Sequence, residues 1–484
     1  MAKVVVLGAG VSGHTAAAFL KKWVGHRHSV TVVSPEPTYN WIPSNIWVGV
    51  GLLKKEKVVF PLAPVYKRHG IEFIQARAKT LYPEGKGESK QPVVEVERTD
   101  QGHKGEIQDV SYDYLVNATG PKLNFAATEG LGPDGHSLSV CTADHAEHTA
   151  AVFLEKVDRM RKGEKQTFLV GTGHGEATCE GAAFEYVVNL EFELRARKVR
   201  EKAEIIYLTN EYELGDFGVD GVHIKMGGYV TPSKIFAESL FAERAIDFIT
   251  KAHVRRVEEG AAIVETLEGR VQEVRFDMAM LIPPFSGVGL QAFKPDGTNM
   301  TDQVFAPNGF MKVDADYTKK PYEEWKPSDW PRFYQNPTYK NLFAAGIAFA
   351  PPHPISRPRQ TESGRVISPA APRTGMPSAV IGKAVAKNIV SLIKGDPEPM
   401  HSASLADMGA ACVASAGANP FTGTAASITV YPVIPDWDKY PEYGRDLRYT
   451  CGEIGVAGHW IKILLHHMFL YKARLHPGWS LIPE

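Results

Sequence analysis

KVVVLGAGVSGHTAAAFL, residues 3–20, is the stretch on which the reading of this chain turns. A β-branched run leads into Gly8-x-Gly10-x-x-Gly13, and an Ala-rich segment of good helix propensity follows. The three glycines have separate duties in such a strand–turn–helix unit. Gly8 permits the tight turn, Gly10 lets a pyrophosphate reach the backbone, and Gly13 lets the helix pack closely on the strand. The helix N-terminus then faces the phosphates with its positive end. A dinucleotide-binding fold is the expectation.

Further pieces lie downstream in the right order. The second strand, Ser29–Val33, is followed by Ser34 where an acid usually holds the adenosine ribose, with Glu36 two residues on as a substitute. Tyr112–Gly120 is a buried-strand pattern ending in Ala118-Thr119-Gly120, and Asn341–Gly346 is another apolar strand ending in glycine. These resemble the FAD-associated motifs of flavoproteins with two dinucleotide domains, so FAD is the expected cofactor of the first unit. A second strand–glycine turn stands at Gln166–Gly175, but it continues into Glu176, a carboxylate where a pyrophosphate would sit. Its partner strand Ile205–Thr209 ends at Asn210, with an acid only at Glu211. This second unit is expected to persist as architecture without binding NAD(P)H.

Composition sets the outer bounds. The 484 residues suit two or three domains, and 44% hydrophobic with 23% charged residues marks a core-forming protein. A net charge of −1 supplies no field toward nucleic acid, and no nucleic-acid partner is expected. Four cysteines (Cys141, Cys179, Cys412 and Cys451) are too few for a disulfide scaffold and too scattered for a zinc ribbon. No signal peptide and no uninterrupted bilayer-spanning run is legible. His466-His467 has no third ligand at a recognisable spacing, so no metal is expected.

Cys179 opens Cys179-Glu180-Gly181-Ala182-Ala183-Phe184-Glu185-Tyr186, where the positive end of a helix dipole favours thiolate. Cys412 lies in Ala410-Ala411-Cys412-Val413-Ala414, and Cys141 in Ser139-Val140-Cys141-Thr142-Ala143-Asp144-His145-Ala146. These motifs, with Asn40–Gly49, occur in the order found in the sulfide:quinone oxidoreductases, which the chain resembles from residue 3 to about 420. The resemblance implies that Cys179 and Cys412 carry a sulfur bridge beside FAD, with Cys141 either assisting sulfur transfer or bonding the flavin covalently, and with Glu185 and His145 moving protons. It implies cofactor contacts at Gly8, Gly10, Gly13, Ser34, Ser44, Ala78, Thr119, Gly120, Gly346 and Arg373, the last standing where lysine is usual. Where the family often has a second histidine, this chain has Asp216.

Residues 456–472 read as an amphipathic helix, with Ala457, Trp460, Ile461, Leu464, Leu465 and Met468 on one face and His459, Lys462 and His466 off it. It either packs on the core or lies in a bilayer interface with its cations near lipid phosphates. The fold is expected to be α/β with two Rossmann-like units. FAD is placed on residues 1–125 and 330–400, the degenerate unit on 126–329, and a C-terminal region with a membrane-associating helix on 401–484. The loop between Pro351 and Pro372 has no assigned role. The expected reaction takes sulfide and a membrane quinone to zero-valent sulfur and quinol. The setting is a homo-oligomer peripheral to a prokaryotic cytoplasmic membrane, its face open. Rivals are a type II NADH:quinone oxidoreductase, the flavin subunit of a flavocytochrome c, and an FAD-binding sulfur sensor without turnover.

Overall fold

A central parallel strand, Lys3–Leu7, holds the first domain together. Its apolar run is fully buried because both faces of the sheet are covered. Ser29–Ser34 pairs on one side and Tyr114–Asn117 on the other, both parallel, with Leu7 in register with Val33 and Asn117. Leu342–Ala344 extends one edge and Glu72–Tyr82 the other, followed by the antiparallel strands Val93–Arg98 and Ile107–Ser111. The helix Val11–Val24 packs along Met376–Lys394, whose small residues allow close approach. The structure, a computed structural model, describes residues 1–370 and 375–484. Arg373 lies outside them.

The second unit is a parallel sheet ordered Asp247–Ile249, Ala203–Leu208, Gln166–Thr172 and Met278–Ile282, beside the antiparallel meander Ala252–Arg275. The chain returns to the first sheet earlier than the boundary expected at residue 330. Gln291–Ala292 already pairs with Thr80–Leu81, because the apolar residues that follow complete the first domain's core.

A third sheet joins the units. Tyr229–Pro232 and His223–Met226 come from the second unit, and Cys451–Gly455, Thr422–Val430 and Ala410–Asn419 from the C-terminal region. Cys451 is on one of these strands, exposed and 3.0 Å from Thr429 Oγ1. Among the described residues one helix, Met376–Lys394, is long and apolar enough to cross a membrane, and 61% of it is buried in the fold.

The C-terminal helix, Val456–Ala473, corrects one expectation. His459, Lys462 and His466 face the protein and not lipid phosphates: His459 and His466 are buried, while Trp460 is 57% and Leu464 60% exposed. The polar face has partners waiting. His459 Nδ1 lies 2.7 Å from Ser415 Oγ, His466 Nδ1 2.8 Å from Ser44 Oγ, and Lys462 Nζ donates to Glu185 Oε2 at 3.0 Å. Lys472, in the last turn of the helix, is buried against Glu484.

Candidate active site

The first glycine turn tests whether the residues fit a dinucleotide. Gly8 has φ +97°, and a Cβ there would stand 2.2 Å from the Ala118 carbonyl oxygen. A Cβ on Gly13 would stand 2.1 Å from the Gly8 oxygen. Beside Gly10 and Gly120, by contrast, nothing lies within 4 Å of that position. Two glycines are needed for packing and two border open room. Gly346 (φ +67°) closes the turn's far side, where a Cβ would lie 2.8 Å from Ser12 Cβ, and the buried Ser12 hydroxyl has no partner among the described residues. Ser34 is buried at its strand end while Glu36 is exposed, which leaves Ser34 the better placed for the ribose position. Thr119 is held by its own hydroxyl donating to Asn117 Oδ1 at 2.8 Å, and Ala78 lies on Glu72–Tyr82 beyond the register of Ser34 with Gln75. The Ser44 hydroxyl is engaged by His466. An open, glycine-lined turn at a helix N-terminus with an orphaned hydroxyl fits FAD.

Cys179 caps the helix Glu180–Ala196 in the left-handed region, at φ 70° and ψ 36°. A non-glycine residue held there costs on the order of 1 kcal/mol and marks a position fixed by its surroundings. Cys412, far away in sequence, comes to the same place on the edge strand Ala410–Asn419. A Cβ on Gly181 would lie 2.7 Å from Cys412 Sγ, so only glycine lets that sulfur rest on the first turn of the Cys179 helix. Burial, reinforced by the charge of Glu185 and opposed by Lys462, pushes the Cys412 thiol up to about 12. Glu185 lies further along the helix, buried, accepting from Lys462 Nζ at 3.0 Å and Ser415 N at 3.4 Å. Burial raises its carboxyl above the usual range, and both donors counter it.

Comparison with known proteins matches this arrangement. The pyridine nucleotide-disulphide oxidoreductase profile fits residues 2–200. The sulfide-quinone reductase of Aquifex aeolicus is 31% identical over 475 residues, covering 98% of this chain and 92% of that one. The chain belongs to the sulfide:quinone oxidoreductase family. The crystal structure of the Aquifex aeolicus sulfide:quinone oxidoreductase superposes with a TM-score of 0.76 at 30% identity, covering 98% of this chain and 92% of that one. The mitochondrial sulfide:quinone oxidoreductase of Mus musculus is 27% identical over 296 residues, 59% of this chain and 57% of that one.

Cys141 approaches this centre through its neighbour Val140, and His145 follows in the next helix. Gly49 meets both Val140, next to Cys141, and Tyr186: a Cβ on Gly49 would stand 2.7 Å from Val140 Cγ1 and 3.0 Å from the Tyr186 ring. Asn45 Nδ2 donates to the Val140 oxygen at 3.2 Å, so the Asn40–Gly49 segment, Cys141 and the Cys179 helix converge. Burial raises the Cys141 thiol, and Ser139 counters it. His145 begins the helix Ala143–Arg161 edge-on to Phe125, its buried Nδ1 without a partner among the described residues. Burial lowers its pKa.

The second glycine turn is closed by the protein itself. Gly175 N donates to His253 Nδ1 at 3.1 Å, Glu176 N to His174 Nδ1 at 3.0 Å, and the Gly175 oxygen accepts from Asn210 Nδ2 and Ser368 N. The loop with no assigned role supplies Ser368. It forms the hairpin Arg359–Gln360 and Val366–Ile367, and a Cβ on Gly175 would meet the Val366 oxygen at 2.3 Å. The N–H groups of Gly175 and Glu176 are thereby engaged by the protein's own histidines.

Several residues in this centre escape a reading of the sequence. Lys462 and Asn189 are two of them: Asn189 donates to Ser415 O at 2.6 Å and accepts from Gly417 N at 3.1 Å, clamping the Cys412 strand to the Cys179 helix. The only signal was one amide inside the apolar run Val187-Val188-Asn189-Leu190.

Proposed function

We propose that the protein oxidises sulfide to zero-valent sulfur on Cys179 and Cys412 and reduces a membrane quinone. The observation that supports it best is the contact of Cys412 Sγ with Gly181, in the first turn behind Cys179. Hydrosulfide attacks a sulfur of the Cys179–Cys412 bridge, one S–S bond forms as another breaks, and the released cysteine carries the electron pair. FAD, when bound, supplies the two-electron acceptor between that sulfur and the quinone. Cys141 takes up or passes on sulfur, and His145, neutral in its buried setting, takes a proton at Nδ1. Glu185 and Lys462 hold a proton pair at the root of the C-terminal helix, suited to supplying the quinone.

Docking to the bilayer belongs to the same reading. Trp460, Ile461 and Leu464 stand out from the C-terminal helix, and Phe421, 92% exposed at the tip of the neighbouring hairpin, extends the patch. The Trp460 indole donates to the Pro420 oxygen at 2.8 Å, fixing helix and tip as one surface. An apolar helix face with tryptophan at its edge suits a membrane interface.

The test is anaerobic mixing of the FAD-loaded protein with sulfide, and in parallel with NADH, while following oxidised-flavin absorbance. Bleaching by sulfide, recovery on adding a quinone, and loss of bleaching in Cys179→Ala and Cys412→Ala are expected. Rapid bleaching by NADH with none by sulfide would overturn the proposal.

A further inference from the structure

The C-terminal helix carries an exposed apolar face, and beside it, in the first turn, a histidine that is fully buried. A buried imidazole needs a partner at each ring nitrogen. His459 has Asn419 O 2.8 Å from Nε2 and Ser415 Oγ 2.7 Å from Nδ1. The carbonyl only accepts, so Nε2 carries a proton and Nδ1 accepts from the Ser415 hydroxyl. The slot is cut to the ring. A Cβ on Gly423 would stand 2.4 Å from both His459 Cε1 and Nε2, so glycine at that place admits the ring as it lies. The next residue, Trp460, donates from its indole to Pro420 O at 2.8 Å. Two consecutive residues of the helix thus hold one hairpin, built of Ala410–Asn419 and Thr422–Val430, whose tip Phe421 is exposed.

That hairpin carries half of the sulfur pair. Ala410–Asn419 is the edge strand of the third sheet, bonded to a neighbouring strand on one side only. Its Cys412 end is the looser one, since 410–413 are half-buried or exposed and 414–417 are buried. Cys412 is therefore placed from Ser415. Side chains alternate along a strand, so Ser415 turns to the C-terminal helix while Cys412, three residues back, turns to the other face and onto Gly181. Ser415 N donates to Glu185 Oε1 at 3.4 Å, its oxygen accepts from Asn189 Nδ2 at 2.6 Å, and its hydroxyl goes to His459. Two of these grips come from the Cys179 helix. The third comes from the helix that offers its apolar face outward. Lys462, three residues after His459 and so on the same side, adds a tie by donating to Glu185 Oε2 at 3.0 Å.

We infer that His459 is a positioning residue that couples docking on a lipid bilayer to the placement of Cys412. The inference rests on both the sulfide reading and the docking reading above. A ligand surface shifts an equilibrium only if it binds one state better than another. Here the difference is geometric. Phe421 belongs to the hairpin, and Trp460, Ile461 and Leu464 belong to the helix. The bilayer receives all four together only while the His459 and Trp460 bonds keep the two elements in register. Those bonds also fix Ser415, and with it the strand that lays Cys412 Sγ on the first turn of the Cys179 helix. Away from lipid the edge strand loses that reinforcement and its half-buried end is freer to shift. An enzyme tied in this way takes electrons from sulfide fastest where a lipid-dissolved quinone is at hand.

The test follows sulfide bleaching of the FAD-loaded protein under anaerobic conditions, with and without an excess of quinone-free vesicles of phosphatidylcholine and phosphatidylglycerol. Flotation is run on the same mixtures. Leaving quinone out removes its delivery as a source of any effect. The wild type should float and bleach about fivefold or more faster on vesicles, with slower amide exchange in 410–419. Ser415→Ala, which deletes one hydroxyl and disturbs the fold least, and His459→Ala should still float at this excess. Both should bleach at one rate with and without vesicles and show no slowing of exchange. His459→Asn, which keeps an acceptor near the Nδ1 position, should regain part of the acceleration, whereas a ring that only filled its slot would gain nothing from the smaller amide. Wild-type acceleration in Ser415→Ala and His459→Ala would overturn the inference. So would a wild type that floats yet bleaches and exchanges alike with and without vesicles. A wild type that does not float would overturn the docking reading, and one that sulfide bleaches in neither setting would overturn the sulfide reading.

Discussion

Gly10 and Gly13 stand three residues apart and should answer a methyl group in opposite ways. Gly13 has the Gly8 oxygen 2.1 Å from a would-be Cβ, so Gly13→Ala forces strand from helix and should cost about 1–3 kcal/mol in denaturant unfolding. Gly10 has φ −72° and open space, so Gly10→Ala should fold with unchanged stability as apoprotein yet retain less FAD, read as flavin absorbance per chain. Glu211, buried after the strand Ala203–Leu208, offers a pH counterpart. Burial, reinforced by the charge of Asp216, lifts its folded pKa to about 8, above the ordinary 4.5, so the folded state holds an extra proton between those values. Its contribution is therefore full below pH 4.5 and lost as pH rises through 8. Melting temperatures of Glu211→Gln should fall less than those of the wild type between pH 5 and 8. The glycine turn was legible because its chemistry is local: strand, turn and helix occupy eighteen consecutive residues. The buried carboxyl cluster was not, since Glu180, Glu211 and Asp216 meet only after Phe217, left-handed at φ +52°, folds the loop back, and phenylalanine there gives no warning.

At the scale of elements, the C-terminal helix shows what periodicity can and cannot supply. Spacing divides Val456–Ala473 into an apolar and a polar face, but burial of either depends on partners distant in sequence. Here the partners Ser44, Glu185 and Ser415 are polar, so the histidine and lysine face turns inward and the apolar face is left out. Lys462→Met should strand a buried carboxylate and cost about 3–5 kcal/mol in unfolding. Replacing Trp460, Ile461 and Leu464 together by Gln should leave the fold intact and lower binding to anionic liposomes at least tenfold in flotation, since each exposed side chain forfeits on the order of 1 kcal/mol of burial in the interface. Equal flotation of the two proteins would show that this face does not dock. Acid should loosen the same helix. Burial holds His466, and also His14, whose Nε2 bonds the Ala473 oxygen at 2.8 Å, down to about 4. Their stabilisation is present above the unfolded value of 6.5 and is lost as pH falls toward 4. Amide exchange in 456–473 should rise over that window ahead of exchange in the first sheet.

Across the whole molecule, the sulfur pair depends on a sheet that neither Rossmann-like unit owns. Two of its strands leave the second unit, three come from the C-terminal region, and its edge strand carries Cys412 back onto the Cys179 helix. The clamp between them is Asn189, whose amide bonds Ser415 O and Gly417 N, with Glu185 and His459 gripping Ser415 from either side. Asn189→Ala leaves two buried backbone groups without partners, at a cost of about 1–3 kcal/mol each. The two Rossmann-like cores contain none of those bonds, so FAD content and far-ultraviolet circular dichroism should hold. What should fail is the meeting of the sulfurs: less Cys179–Cys412 bridge in the oxidised protein by mass spectrometry, and slower bleaching by sulfide. Asn189→Asp keeps the acceptor toward Gly417 and should recover part of both. If Asn189→Ala bridges and bleaches as fast as the wild type, the edge strand is held by packing alone, and the sheet positions Cys412 without the amide.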